Sequence, residues 1–168
     1  MGSAWVKRAR QFWQALSPRL SVDDLSLIDQ WLPAEGQVLF WRQSRYDQAH
    51  AISHLRELLR LHPEAPLEMI HALLLHDVGK AAYRIPPLYR VVHVLLGRVP
   101  HVYRALLHRW GQKQLLFPLI VLQEHSRIGA EWAAAAGLSE RTVYLIAHHH
   151  DENARDVELQ WLQRVDDL

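Results

Sequence analysis

Apolar residues return every three or four positions along most of this chain and nowhere alternate with period two over any length. That spacing predicts helices throughout and an all-α fold. Trp5, Phe12, Trp13 and Leu16 mark a helix over Ala4 to Leu16 that Ser17-Pro18 ends. Ser21 with Asp24 three residues later forms a capping box, aspartate standing where glutamate is usual, and Leu25, Ile28, Trp31 and Leu32 supply the stripe behind it. Pro33 fits the first turn of a short helix reaching about Arg42. Residues 1–45 thus read as an N-terminal accessory layer.

Asp47 is a suitable N-cap for a helix from Gln48 to about Leu61, with Ile52, Leu55, Leu58 and Leu59 on its buried face and His62-Pro63 closing it. Pro66 opens a helix that is apolar nearly all round through Leu67, Ile70, Leu73, Leu74 and Leu75, the pattern of an element at the centre of a domain. It delivers His76 and Asp77 side by side; Gly79 then stops the helix and Lys80 follows. Further on, Pro118 opens a helix reaching Glu124-His125, Ser126 to Ala136 continues it, and Gly137 terminates it. Ser139, with Thr142 nearby, starts the helix that runs into His148, His149 and His150, and the last helix runs from about Val157 into Asp166.

The segment at about 83–117 has a different texture. Pro86-Pro87, Gly97 and Pro100 punctuate two apolar helical patterns that also carry Arg84, Arg90, Arg98, Arg104, Arg109 and Lys113. Such a segment is a plain extra helical hairpin, a lid over a site, or a membrane-surface helix pair.

With 168 residues the chain is most simply one compact domain, 1–168. It has no cysteine, which removes disulfides, thiolate zinc sites and cysteine nucleophiles and leaves imidazole and oxygen as metal donors. The net charge of +1 provides no global field to draw it onto nucleic acid. Lys7, Arg8 and Arg10 lie near Trp5 and Val6 without the apolar core of a secretory signal, and no apolar run approaches a membrane span, so a soluble, cytoplasmic protein is expected.

His76 and Asp77 offer an imidazole nitrogen and a carboxylate oxygen, donors suited to borderline divalent metals. More donors stand far off at His50, His125, His148, His149 and Asp166. The order H…HD…H…HH…D, with D-x-x-H at Asp47–His50, A-L-L-L-H-D-V-G-K at the pair and E-H-S-R-I-G-A before I-A-H-H-H, resembles the HD superfamily of metal-dependent phosphohydrolases. The resemblance covers Asp47 to Asp166 and implies an HD-like helical bundle, here with the N-terminal layer and a helical insertion after the motif.

By that resemblance His50, His76, Asp77 and Asp166 hold one metal, and the further histidines imply a second ion, with Asp77 bridging. His125 and His149 fit the second position best; His148 is a weaker candidate, His150 is read as a surface residue, and Asp166 is preferred to Asp167. The triplet also reads as a solvated helix end whose histidines complement the dipole. Iron or manganese is implied, with zinc, magnesium, nickel or cobalt as alternatives. Asp77 and Lys80 are the catalytic candidates, and His54, Lys80 and Arg84 the substrate contacts; Lys80 is alternatively an ordinary lysine after a helix.

The substrate class implied is a small phosphorylated molecule, a nucleotide in particular; a homo-oligomer is compatible, and no stable nucleic-acid complex is expected. The HD-GYP subtype would show H-H-E and then G-Y-P, whereas this chain runs H-H-H-D-E-N-A-R-D. Two other readings stay open: a di-iron oxygenase of the same fold, and a non-catalytic nucleotide sensor that keeps its metal.

Overall fold

The computed structural model describes residues 19–111, 113–151 and 154–166. The helix expected over Ala4 to Leu16 lies outside them, as does Asp167. Among the described residues there are nine α-helices and no strand. They are α1 (Val22–Trp31), α2 (Ala34–Phe40), α3 (Arg45–Leu61), α4 (Leu67–Leu75), α5 (Pro87–Gly97), α6 (Pro100–Trp110), α7 (Phe117–Ala135), α8 (Glu140–His148) and α9 (Val157–Asp166). None of them is long and apolar enough to cross a membrane.

Helix α4 sits at the centre because it has no polar face to offer water. Met69, Ile70, Ala72, Leu73, Leu74 and Leu75 are all buried, and α1, α2, α3, α8 and α9 pack around them. The accessory layer joins this core through Ile28, Leu32, Leu39 and Phe40. Several boundaries follow local chemistry. Ser21 Oγ accepts from Asp24 N–H at 3.2 Å while the Asp24 carboxylate accepts from Ser21 N–H at 2.6 Å, the reciprocal capping box. Gly137, with φ of 77°, ends α7 in a Schellman turn: its N–H donates to Ala134 O at 3.0 Å, and Leu138 N–H to Ala133 O at 3.1 Å.

Three local expectations are corrected. Pro33 is the residue before α2 and not in its first turn, and the helix stops at Phe40. Ser44, not Asp47, caps α3, accepting from Asp47 N–H at 3.2 Å. Asp47 lies inside the first turn, where its buried carboxylate accepts two bonds from the Arg90 guanidinium at 2.7 and 2.8 Å. Gly79 does not stop α4, which ends before it at Leu75; it lies inside a 3-10 turn, Val78–Ala82, packed on α7.

The segment at 83–117 is a helical hairpin, α5 and α6, followed by a short 3-10 turn. It has its own small core, in which Tyr103, Leu119 and Leu122 gather Ile85, Tyr89, Val92, Leu96, Leu107 and Leu116. The Asp47–Arg90 pair ties this hairpin to α3.

Candidate metal centre

The end of α4 is buried, so His76 and Asp77 project into the molecule and not from it; they are 1% and 3% exposed. The turn that follows lies directly on α7 because residue 79 has no side chain. A Cβ there would fall 2.0 Å from the carbonyl oxygen of His125 and 2.8 Å from the amide nitrogen of Gly129. Only glycine permits this approach, and it brings Asp77 Oδ1 to 3.3 Å from His125 Nε2.

Three imidazoles are held the same way. Nδ1 of His76, His125 and His149 lies 2.7, 2.7 and 2.8 Å from the carbonyl oxygens of Leu73, Leu122 and Ile146, each three residues back in the chain. A carbonyl can only accept, so each ring carries its hydrogen on Nδ1 and, when neutral, keeps the Nε2 lone pair for another partner. This is the outer support that metal-bound histidines ordinarily have.

On one side of Asp77, α3 and α9 contribute the rest. Asp166 Oδ1 lies 3.2 Å from His50 Nε2, 3.1 Å from His76 Nε2 and 3.5 Å from His54 Nδ1. On the other side stand His125, His149 and His150, with His150 Nε2 3.2 Å from His125 Nε2. One ligand atom from each of His125, His149 and His150 falls within 4.8 Å of the others, and the same holds for His50, His76 and Asp77 and for His50, His54 and Asp166. The carboxylate of Asp77 lies between these groups: Oδ2 accepts from Lys80 Nζ at 2.6 Å and lies 3.7 Å from His76 Nε2, while Oδ1 faces His125.

Of the histidine triplet, His149 is buried in the cluster, His150 is exposed yet reaches it, and His148 does not. His148 faces away from the cluster, its Nδ1 2.7 Å from Asp151 Oδ2 and its ring 4.5 Å from that of Tyr144, whereas the surface residue His150 brings its Nε2 to 3.2 Å from His125 Nε2. The physical reason is the end of α8. His148 is still helical and shares a face with Tyr144 one turn earlier, while α8 ends there and the exposed His150, two residues beyond, is directed toward His125. His54, expected as a pocket residue, stands among the donors around Asp166. Arg84 is exposed, and no hydrogen bond or ion pair connects it to the cluster among the described residues.

The charges are strongly coupled. Burial alone would lower the His76 imidazole, but Asp77 and Asp166 override it and push it up to about 9. Burial likewise works to raise both carboxylates; Lys80, His76 and His125 nevertheless hold Asp77 well below its usual range, and His50, His54 and His76 do the same for Asp166. His149 is driven well down by burial and then by the neighbouring His76, His150 and His125, and His150 is lowered to about 4 by burial and His125. Among the described residues, buried His54 Nδ1, His76 Nε2 and His149 Nε2 lack a partner of hydrogen-bond geometry. His76 Nε2 is within 3.1 Å of Asp166 but poorly aligned with it. An unsatisfied buried polar atom costs about 1–3 kcal/mol, and these three belong to the donor groups on the two sides of Asp77, which fits the binding of a divalent cation. The donor set of imidazole and carboxylate, without sulfur, is one that can hold a metal ion.

Histidines of the cluster stand in the walls of clefts. One of about 580 Å³ includes His54, and one of about 690 Å³ between the hairpin and α7 includes His150 together with His93, Tyr103 and Arg104. In the second, Tyr103 Oη donates to Leu119 O at 3.1 Å and therefore accepts from His93 Nδ1–H at 2.8 Å. Burial, then His125 and Lys80, lower the His93 imidazole to about 4. The ring is neutral near neutral pH, and among the described residues its Nε2 has no hydrogen-bond partner. No periodic signal marked His93; it becomes a site residue only through the hairpin's docking.

No protein-family model, curated protein or solved structure matches the chain.

Proposed function

We propose that this chain is a metal-dependent hydrolase of phosphate ester or anhydride bonds, using two divalent ions in the manner of the HD superfamily that its motif order resembles. The position of Asp77 carries the reading: each of its oxygens is turned to a different set of donors. His50, His76 and Asp166, with His54 beside them, would hold one ion, His125, His149 and His150 the other, and Asp77 would be shared. Such a pair, when bound, polarises phosphoryl oxygens and lowers the pKa of water.

The side chains around it supply the remaining functions. Lys80 places a cation at the edge of the centre, held by Asp77 and available to a phosphate oxygen. Arg90 is engaged by Asp47 and so supports the hairpin without contacting substrate. In the larger cleft Arg104 offers charge, and His93 offers a fixed acceptor for an N–H or O–H of a base or sugar. These features favour a nucleotide-like substrate.

The test is elemental analysis of the purified protein together with phosphate release across a nucleotide panel in manganese or iron. About two ions per chain and phosphate release are expected, both abolished in Asp77→Ala. Dioxygen consumption without phosphate release would instead assign the oxygenase reading. A nucleotide that raises the melting temperature without being turned over would assign the sensor.

A further inference from the structure

Helix α5 has two faces, and only one is accounted for by the fold. At 100° per residue, Tyr89, Arg90, Val92, His93 and Leu96 share the side that meets the small core, Asp47 and the cleft. Leu88, Val91, Val94 and Leu95 fall within about 120° of arc on the other side. They are 69%, 56%, 61% and 54% exposed. Beyond the turn, Val99 and Val102 are exposed as well. A contiguous apolar face of this kind marks a contact surface.

The charge around it selects the partner. From Val78 to Gln123 there is no aspartate or glutamate. Between residues 83 and 117 stand six cations, Arg84, Arg90, Arg98, Arg104, Arg109 and Lys113, of which Arg90 alone is paired with a carboxylate among the described residues. Arg98 follows directly on α5 and stands at the same angle as the apolar stripe. On α6, Arg109 falls within about 20° of the exposed Val102 at 100° per residue. Exposed apolar residues that can penetrate, with unneutralised cations beside them, match the boundary of an anionic bilayer. A second copy of the chain would set these cations against their own kind, and nucleic acid would leave the apolar stripe uncovered.

We propose that the α5–α6 hairpin docks this protein on the surface of membranes rich in anionic phospholipid, lying in the interface without spanning it. Since His93 and the cleft occupy the inner face of the same helix, docking holds the candidate metal centre close to the bilayer. This inference stands whichever reaction that centre catalyses.

The experiment is flotation of the full-length protein with vesicles of phosphatidylcholine alone or with about 30% phosphatidylglycerol. Binding to the anionic vesicles is expected to be roughly tenfold or more above that to the neutral ones and to weaken as salt is raised. Leu88→Asp with Val91→Asp, and separately Arg98→Glu with Arg109→Glu, are each expected to abolish flotation while melting temperature and metal content stay at wild-type values. Absence of flotation by the wild-type protein, or equal flotation of wild type and both variants, would overturn the proposal. So would a wild-type dimer in sedimentation velocity that Leu88→Asp with Val91→Asp dissociates, because the face would then be covered by a second copy.

Discussion

Gly79 lies against the backbone of His125 so closely that a methyl group on residue 79 would sit 2.0 Å from the His125 carbonyl oxygen. The contact joins the turn carrying Asp77 to the helix carrying the histidine on its other side. Gly79→Ala is therefore expected to push the two apart, costing about 1–3 kcal/mol as overpacking does, and to lower bound metal. Gly97→Ala is the control, since nothing lies within 4 Å of a Cβ there. It should leave metal content unchanged. Thermal melts and elemental analysis of the two variants decide this; wild-type metal content in Gly79→Ala would contradict the role given to the contact.

His148 and His150 are two residues apart and face different ways. His150→Ala should weaken metal binding by roughly tenfold or more, the scale seen when support of a metal site is removed. His148→Ala should leave it unchanged. Titration of the metal-free protein with manganese or zinc distinguishes them, and equal effects would mean that the end of α8 does not set the ligand.

Asp47 and Arg90 form a bidentate pair whose carboxylate is 2% exposed. Removing the guanidinium leaves that buried carboxylate without its partner, so Arg90→Ala should cost about 3 kcal/mol and loosen the hairpin. Asp47→Asn with Arg90→Gln should recover part of that loss. Urea denaturation and a double-mutant cycle measure the coupling; additive effects would show that the hairpin is held mainly by its apolar core.

In the metal-free protein the folded-state pKa of His76 is raised to about 9. Its stabilising contribution is complete below the unfolded value of about 6.5 and is lost as pH rises through 9. His93 and His150 are lowered to about 4, and His149 is also lowered, so the unfolded chain takes up their protons first. Their contribution is present above about 6.5 and lost as pH falls toward 4. Metal-free protein should accordingly melt highest near neutral pH, with lower values at pH 5 and pH 9. Because a cation must displace the His76 proton, metal affinity should rise with pH up to about 9, with proton release measurable by calorimetry in buffers of different ionisation enthalpy. Affinity independent of pH from 6.5 to 9 would contradict this assignment.

Much of the helical framework could be read locally. The capping box at Ser21 and Asp24, the cap at Ser139 and the stop at Gly137 behave as short-range chemistry requires. Asp47 could not be read this way, because its partner Arg90 lies 43 residues further on and outweighs the capping preference. Gly79 looked like a helix stop, and its actual constraint is the backbone of α7. The histidine triplet was ambiguous because adjacent side chains at a helix end diverge, and their directions depend on how the chain leaves the helix.

By itself the sequence determined that the chain is helical, that α4 is central, and that imidazoles and carboxylates without thiols are the available donors, since periodicity and composition are local properties. Tertiary structure alone decided which histidines meet Asp77, which arginine is spent on an ion pair, and which face of α5 is left bare. Those outcomes depend on distances between segments remote in the chain, and helix packing sets them.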